Sequence, residues 1–492
     1  MKFNQANSWR NQWSNARMLE CANAPLPLPL PLALIRLCVL ASVPCHTTQN
    51  ASCIHNDMSS SSSSLSLSGW TFHWVQRVAI AALLLFYGLT KLFGLMAAST
   101  PRRGQRVRQS LYWRIHGYVM LIFVGCFSPF AFASVYHRMA FLRQNRLLLL
   151  VGFNRYVLVL VCTFATLYIH TTKQEEIVGC LNQLLRCRRQ LKRLMHTPEL
   201  RQSIDHLSTR GNLLIVGVLI GVYILSPVHT IQILSWDPAV KANFLYAFSL
   251  VFIYACNLIL RLSLGLYVLA LLLLDHLAHH SNELLARILA DAASLQPPFG
   301  YGIIRWRQQL CRSQQKWLAL ELWRLLHVHH QLLALFRSIC SLSGLQAVCF
   351  VGMVPLECMV HMFFSYFMHY SKFILRKYQR PFPVNYHIIF FTMGLVANLV
   401  LVICLTHRMS RRFAHTRETL RSGVLALPPA GTVKQLNQTL HYYGLYLKNA
   451  EHIFAVSACG LFKLNNVLLF CIVEGMLYYL MILIQFDKVI NK

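Results

Sequence analysis

The sequence predicts an all-α membrane protein with seven transmembrane helices. Of the 492 residues, 56% are hydrophobic and only 13% are charged, whereas a soluble domain carries about 25% charged residues. Apolar stretches of the ~20 residues needed to cross a bilayer recur along the chain. The formal net charge of +30 comes mainly from Lys and Arg between these stretches, where basic residues orient a membrane protein. We therefore expect membrane lipids around the chain and no nucleic-acid partner.

The first 70 residues differ from the rest of the chain. They contain a Pro–Leu alternation at 25–32 and a serine-rich run at 59–68. Alternate prolines lack the backbone N–H that a helix needs, and such polar low-complexity tracts do not bury a core. We predict a disordered, low-complexity extension over 1–70. Residues 71–114 are predicted to form a membrane-dipping or juxtamembrane helix and a basic segment, and whether 78–98 spans the membrane stays open.

Seven later stretches are long enough to span a bilayer, and the fourth is longer than a bilayer requires. It continues into a segment with one polar and one apolar face, so we predict that this helix extends into the cytosol. The segment 316–342 has helical periodicity as well. We predict a six-span bundle with cytosolic helical extensions over 115–406, then a cytosolic loop and the seventh span over 407–492. The predicted spans are residues 115–136, 147–169, 212–234, 244–274, 344–369, 386–406 and 463–486.

The loops between the spans predict the orientation of the chain. Basic loops stay in the cytosol, and one side of the predicted topology carries most of the Lys and Arg residues. The N-terminus is therefore predicted to be cytosolic and the C-terminus extracellular, although the loop 370–385 on the outer side is also basic. The basic segments on the predicted cytosolic side are 99–114, 170–211, 275–343 and 407–462.

A metabotropic receptor coupled to a G protein also has seven spans and stays open as an alternative. Such a receptor has its N-terminus outside the cell, and its usual N-P-x-x-Y and D-R-Y motifs are absent from this sequence. A transporter is less favoured because no internal repeat or pair of broken helices is evident.

The last span ends in a recognisable pattern. Tyr478-Tyr479 is followed by five hydrophobic residues and then by Gln485-Phe486. This pattern resembles the motif that closes insect gustatory receptors, which reads Thr-Tyr, five hydrophobic residues and Gln-Phe, so Tyr478 stands where that family has Thr. The approach to the span at 458–470 also resembles that family.

The resemblance implies a ligand-gated cation channel that senses tastants in the plasma membrane of sensory-neuron dendrites. It implies a homo- or heterotetramer with related receptors, in which the last helix lines a central pore and the Gln of the closing motif lies near the gate. Tastants are expected to bind within the outer half of each helix bundle. No enzyme activity and no cofactor are expected, since the residues show no nucleophile–base arrangement, phosphate loop or cofactor motif.

Four residues of the last span share one helix face. At ~100° per residue, Glu474, Tyr478, Met481 and Gln485 fall within an arc of ~60°. A carboxylate facing lipid would cost roughly 2.5–3.5 kcal/mol, whereas a water-filled pore satisfies every polar member. We therefore predict that this face lines the pore. The alternatives are that Glu474 is neutral or bonded to a neighbouring helix, and that Gln485 caps its helix.

Other polar residues within the spans are candidates for the ligand pocket. Glu357 and His361 are four residues apart on one face of the fifth span, where they either pair with each other or help to line the pocket. Aromatic residues near span ends are otherwise membrane-interface anchors. The further candidates near the outer ends of spans are His229, Tyr246, Tyr366 and Tyr386.

Two histidine clusters invite comparison with metal sites. Both lie on predicted cytosolic helices, and no carboxylate or cysteine completes a convincing ligand spacing. We predict no metal site and expect solvated helix faces instead. The two clusters are His276, His279 and His280, and His327, His329 and His330.

Overall fold

The structure of the protein is a computed structural model, and almost all of what it describes is helical. This confirms the predicted all-α class. The described residues are 84–99, 107–138, 146–195, 243–295, 304–370, 386–425, 434–450, 457–459 and 461–490. Numbered through these residues, the helices are α1 Leu111–Arg138, α2 Arg146–Thr172, α3 Gln174–Leu194, α4 Phe244–Ser294, α5 Ile304–Leu342, α6 Gly344–Tyr370, α7 Tyr386–Leu425, α8 Lys434–Asn449 and α9 Asn466–Ile490.

Two short strand pairs accompany the helices. Each pair is antiparallel, with two residues in each strand. The first joins β1 Ala98–Ser99 to β2 Arg108–Gln109 just before α1. The second joins β3 Ser457–Ala458 to β4 Phe462–Lys463 just before α9.

Within the described residues, six helices are long and apolar enough to cross a membrane: α1, α2, α4, α6, α7 and α9. They correspond to six of the seven predicted spans. The remaining prediction, 212–234, lies outside the described residues. Length and hydropathy alone therefore located these helices, because apolar runs of ~20 residues are typical of membrane-spanning helices.

The bundle is organised around α4. This helix runs unbroken for 51 residues, or ~77 Å at 1.5 Å per residue, which is well beyond the ~30 Å thickness of the hydrocarbon core of a bilayer. It packs against α1, α2, α5 and α7, and 72% of its most apolar 18-residue stretch is buried. By contrast, none of the most apolar 18-residue stretch of α9 is buried, so α9 lies at the periphery of the chain.

Helices α3, α5 and α8 form a base beyond one end of the bundle. The two helices that flank α5 are amphipathic, and α5 packs against both of them. On α3 the buried face includes Leu184, Leu191 and Leu194, while Arg186 and Arg189 are exposed. Apolar burial therefore joins these helices to one another, and their basic residues remain in water.

A buried carboxylate fastens α4 to α7 where both helices reach this base. Asp275 of α4 is 2% exposed and pairs with Arg408 at 3.0 Å and with Arg412. Asn282 donates to the backbone oxygen of Arg412 at 3.1 Å and accepts from the Thr416 hydroxyl at 2.7 Å. Because paired charges tolerate burial far better than isolated ones, this network fixes the register of the two helices.

The segment before α1 folds back onto the bundle. Residues 84–92 are helical, and the chain then turns through Gly94, whose φ of 71° suits a residue without a side chain. A Cβ on Gly94 would lie 2.8 Å from the Cα of Gly117. His170 bonds the Leu95 carbonyl oxygen at 2.9 Å. The turn is thereby held against α1 and α2.

Candidate functional site

Helix α9 has two distinct sides. Its inner side carries Leu468, Leu469, Ile472 and Met476, which pack against the hydrophobic core. Its outer side carries all four residues predicted to share a face, and each of them is exposed in the single chain: Glu474, Tyr478, Met481 and Gln485. The structure therefore leaves the predicted face free for a partner or a pore, whereas the adjacent Leu480, Leu483 and Ile484 are half-buried.

The carboxylate on this outer side is the strongest indication that the face contacts water or a polar partner. Glu474 takes part in none of the ion pairs formed among the described residues. Exposure to lipid would be costly for it, so its surroundings in the membrane must provide water or a polar partner. A hydrocarbon-facing role explains the exposed Tyr478 and Met481 equally well, but it does not explain Glu474.

The N-terminal end of α9 is held in place by the β3–β4 pair and the residues that follow it. Leu464 is buried against Ala347 and Val348 near the start of α6, and Asn465 caps α9 by accepting from the Leu468 amide at 3.0 Å. Gly344 at the start of α6 approaches Cys459 so closely that a Cβ there would lie 3.2 Å from the sulfur. The start of α6 and the base of α9 therefore form one packed junction, which the sequence pattern did not predict.

Glu357 and His361 do pair with each other. His361 Nε2 lies 3.2 Å from Glu357 Oε2, while Arg155 of α2 donates from Nε to Glu357 Oε1 at 2.8 Å. The carboxylate is 2% exposed and the guanidinium 31%. Sequence reasoning missed Arg155, although an arginine inside an apolar span was a signal that it has a buried partner.

The other pocket candidates are spread over several helices. Tyr246 is buried in the first turn of α4, and Tyr366 is half-buried, with its ring 6.2 Å from that of Phe363. Tyr386 is the first residue of α7, and His229 lies outside the described residues. The structure brings Glu357 and His361 together, and the ligand-pocket role of all six residues stays a prediction.

A small cavity lies elsewhere in the bundle, between α2, α4 and α6. It offers ≈ 20 Å³ to the centres of water-sized molecules, which is sufficient for a water molecule. Of the pocket candidates whose side chains the structure describes, none lines it: Glu357, His361, Tyr246 and Tyr366. Its walls include Cys162, Thr166, Ser263, Tyr267, Gln346 and Cys349.

The histidine clusters do not form a metal site. Among the described residues, no group of three or more His, Cys, Asp or Glu side chains is arranged to hold a metal ion. The expectation of solvated faces was correct for His327 and His330, which are exposed, but wrong for His280 and His329, which are buried. His329 is enclosed by aromatic rings of α7 and α8, a tertiary contact that periodicity did not reveal.

Because His329 is buried, we predict that low pH destabilises the packing of helices α3, α5 and α8. Burial lowers the pKa of His329 from its ordinary value of 6.5 to about 4, so the unfolded chain takes up a proton at a higher pH than the folded chain does. The stability that comes from the neutral ring is therefore present above pH ~6.5 and is lost as the pH falls toward ~4, by up to ~3 kcal/mol. Thermal unfolding of the purified protein at several pH values measures this loss.

Replacing His329 with phenylalanine provides the comparison. H329F keeps a ring in the same space and removes the titrating group, so its melting temperature should fall less between about pH 7 and about pH 5. H327F, at an exposed position of the same helix, is the control and should behave as the unmodified protein does. Equal pH dependence in all three proteins would show that His329 is not the responsible group.

These observations define a polytopic α-helical membrane protein whose last helix presents a polar face outside its own bundle. Comparison with known proteins then identifies the family. The family model described as "7tm Chemosensory receptor" matches residues 83–490, and the chain belongs to that family. The seven-span prediction and the resemblance seen in the closing motif are thereby confirmed, and the family is one of receptors rather than enzymes.

Two individual proteins are similar to this chain. "Putative gustatory receptor 77a" of Drosophila melanogaster is 63% identical over 422 residues, which covers 85% of this chain and 94% of that protein. The insect olfactory receptor OR5 from Machilis hrabei, solved in complex with eugenol, has a TM-score of 0.50 at 10% identity, and the match covers 84% of this chain and 98% of that one. The second likeness shows the fold alone.

Proposed function

We propose that this chain is a subunit of a ligand-gated cation channel that responds to tastants in the dendrites of chemosensory neurons. The observation that carries the proposal is the exposed face of α9, on which Glu474 and Gln485 stand about three helical turns apart without burial in their own bundle. A pore supplies the water that these polar groups require. Membership of the chemosensory receptor family and the closing motif support the same role.

Assembly completes the pore in this proposal. Four copies, identical or mixed with related receptors, place their α9 helices around one axis with the polar faces inward. The inner side of each α9 stays packed on α6 and α7 of its own chain. The N-terminus is cytosolic and the C-terminus extracellular, so the basic base of α3, α5 and α8 lies in the cytosol. Glu474 then stands nearer the cytosol, and Gln485 nearer the outside.

Gating follows from a shift between two populations of the bundle. A small organic tastant binds the open state more tightly in the outer half of the bundle and thereby increases its population. OR5, which shares this fold, was solved with eugenol, a small organic molecule, and we propose a ligand of the same class here. Helix α6 contacts α2, α7 and α9, so a movement of α6 is transmitted directly to the pore helix. Arg155, Glu357 and His361 join α2 to α6 along this route.

The full-length chain should conduct when expressed in cells, alone or together with a related receptor. Patch-clamp recording across a tastant panel should detect cation currents that persist when G-protein signalling is blocked. A tag on the C-terminus should be accessible from outside in intact cells, which checks both surface expression and orientation. Responses that disappear with the G-protein block, in cells with an inaccessible C-terminal tag, would contradict the channel proposal.

A further inference from the structure

Two cysteines from different helices lie together within the bundle. The thiol of Cys162 on α2 donates a weak hydrogen bond to the carbonyl oxygen of Cys349 on α6, across 3.8 Å. The two cysteines are 187 residues apart in the sequence, so their proximity results from the packing of α2 on α6. Cys162 is fully buried and Cys349 half-buried.

The two thiols share the water-sized cavity described above. Its other walls include the polar side chains of Thr166, Ser263 and Gln346. A cavity with several polar partners holds water, and hydrogen peroxide is a neutral molecule only slightly larger than water. Cys349 lies about one and a half turns from the start of α6, and Cys162 lies about three turns from the end of α2. The cavity is thus in the half of the bundle nearest the α3–α5–α8 base.

Two other cysteines contact side chains that are not thiols. Cys187 contacts the side-chain oxygen of Gln331 at 3.5 Å, and Cys340 contacts the hydroxyl of Tyr267 at 3.8 Å. Oxidation of either thiol would not lead directly to a disulfide with the partner it contacts. Cys162 and Cys349 differ because both line one cavity and the Cys162 sulfur lies 3.8 Å from the backbone oxygen of Cys349. A nearby resolving cysteine is typical of redox-sensing thiols.

We infer that Cys162 and Cys349 form an oxidant-sensitive thiol pair, with hydrogen peroxide as the class of substrate. One sulfur, as the thiolate, attacks a peroxide oxygen; an S–O bond forms, the O–O bond breaks, and the leaving hydroxide takes a proton to become water. The second sulfur then attacks the sulfenic acid, an S–S bond forms, the S–O bond breaks, and a second water leaves. Two thiols are oxidised to one disulfide while one peroxide is reduced to two waters.

The bond would join α2 to α6 at a position that matters for the pore helix. The start of α6 packs against Leu464 at the base of α9, and α6 also contacts α9 along its length. A covalent link to α2 restrains the movement of α6, so the oxidised receptor should open differently from the reduced one. This effect on opening rests on the proposed channel function, whereas formation of the disulfide does not.

Mass spectrometry tests the disulfide without any measurement of current. Membranes that contain the full-length protein are treated with hydrogen peroxide, free thiols are blocked by alkylation, and the digest is analysed without reduction. A linked peptide containing Cys162 and Cys349 should appear, should disappear after dithiothreitol, and should be lost in C162S and in C349S. The control C126S changes an exposed cysteine and should retain the linked peptide. Absence of the link at peroxide doses that oxidise Cys126 would overturn the inference.

Current recording tests the consequence in the same variants. Peroxide should change the tastant-evoked current of the unmodified receptor, dithiothreitol should reverse the change, and C162S and C349S should not respond to peroxide. Unchanged currents in a conducting receptor whose disulfide is demonstrated would overturn the regulatory role. A linked peptide in a protein that never conducts would contradict the channel proposal and leave the thiol pair established, so the two failures are distinguishable.

Discussion

Replacing Glu357 with alanine is expected to destabilise the bundle by about 3 kcal/mol. Removing one member of a buried ion pair typically costs ~3–5 kcal/mol because the other charge stays buried without compensation. We expect the lower end of that range, since the Arg155 side chain is 31% exposed while Glu357 is 2% exposed. Thermal unfolding of the detergent-purified protein, together with the yield of folded protein from membranes, measures the effect.

Two further variants separate charge compensation from loss of packing. Replacing both partners in R155M/E357L removes the two charges together and should recover most of the stability lost in E357A, because well-packed apolar residues often substitute for a buried ion pair. E474A removes an exposed carboxylate of α9 and should change the stability by less than about 0.5 kcal/mol. An E357A protein as stable as E474A would show that the Arg155–Glu357 pair contributes little.

Changing Gln485 to arginine is expected to abolish cation conduction while leaving the amount of receptor at the surface unchanged. In the proposed tetramer the substitution places one guanidinium from each subunit in the permeation path, and a ring of positive charge repels cations. Surface expression should be preserved because Gln485 is exposed in the single chain. Whole-cell recording with reversal potentials, alongside surface labelling, measures both quantities.

The neighbouring residue provides a matched control. Ile484 is half-buried, so I484A should lower the stability by an amount near the lower end of the ~2–5 kcal/mol typical of such a truncation. The amount of assembled receptor should fall as a result. Ion selectivity should stay the same. E474Q should weaken cation preference because it removes a carboxylate from the pore face and nearly keeps its shape. Normal conduction by Q485R would mean that another face of α9 lines the pore.

The sequence alone was sufficient for the class and for most of the helices. Six predicted spans coincide with described helices, and the extension of α4 into the base was also predicted. The closing motif around Gln485 led to the correct family. The face shared by Glu474 and Gln485 followed from helical periodicity, and the structure leaves it exposed. Its role as the pore lining is still a prediction, because a single chain does not contain the other walls of a pore.

The sequence pattern did not predict contacts between residues that are far apart in the chain. Arg155 and Glu357 are 202 residues apart, and nothing in either span identifies the other as its partner. The burial of His329 depends in the same way on rings supplied by α7 and α8, and that is why the expectation of a solvated face failed there.

Membrane class, the described spans and the polar face of α9 were determined by local composition and period, since hydropathy and the 100° turn of a helix act over neighbouring residues. Only the tertiary structure decided four further features. These are the ion pair of Glu357, the Asp275 network, the enclosure of His329 and the proximity of Cys162 to Cys349. Each depends on the rotation and register with which separate helices pack, and many side chains far along the chain set those quantities together.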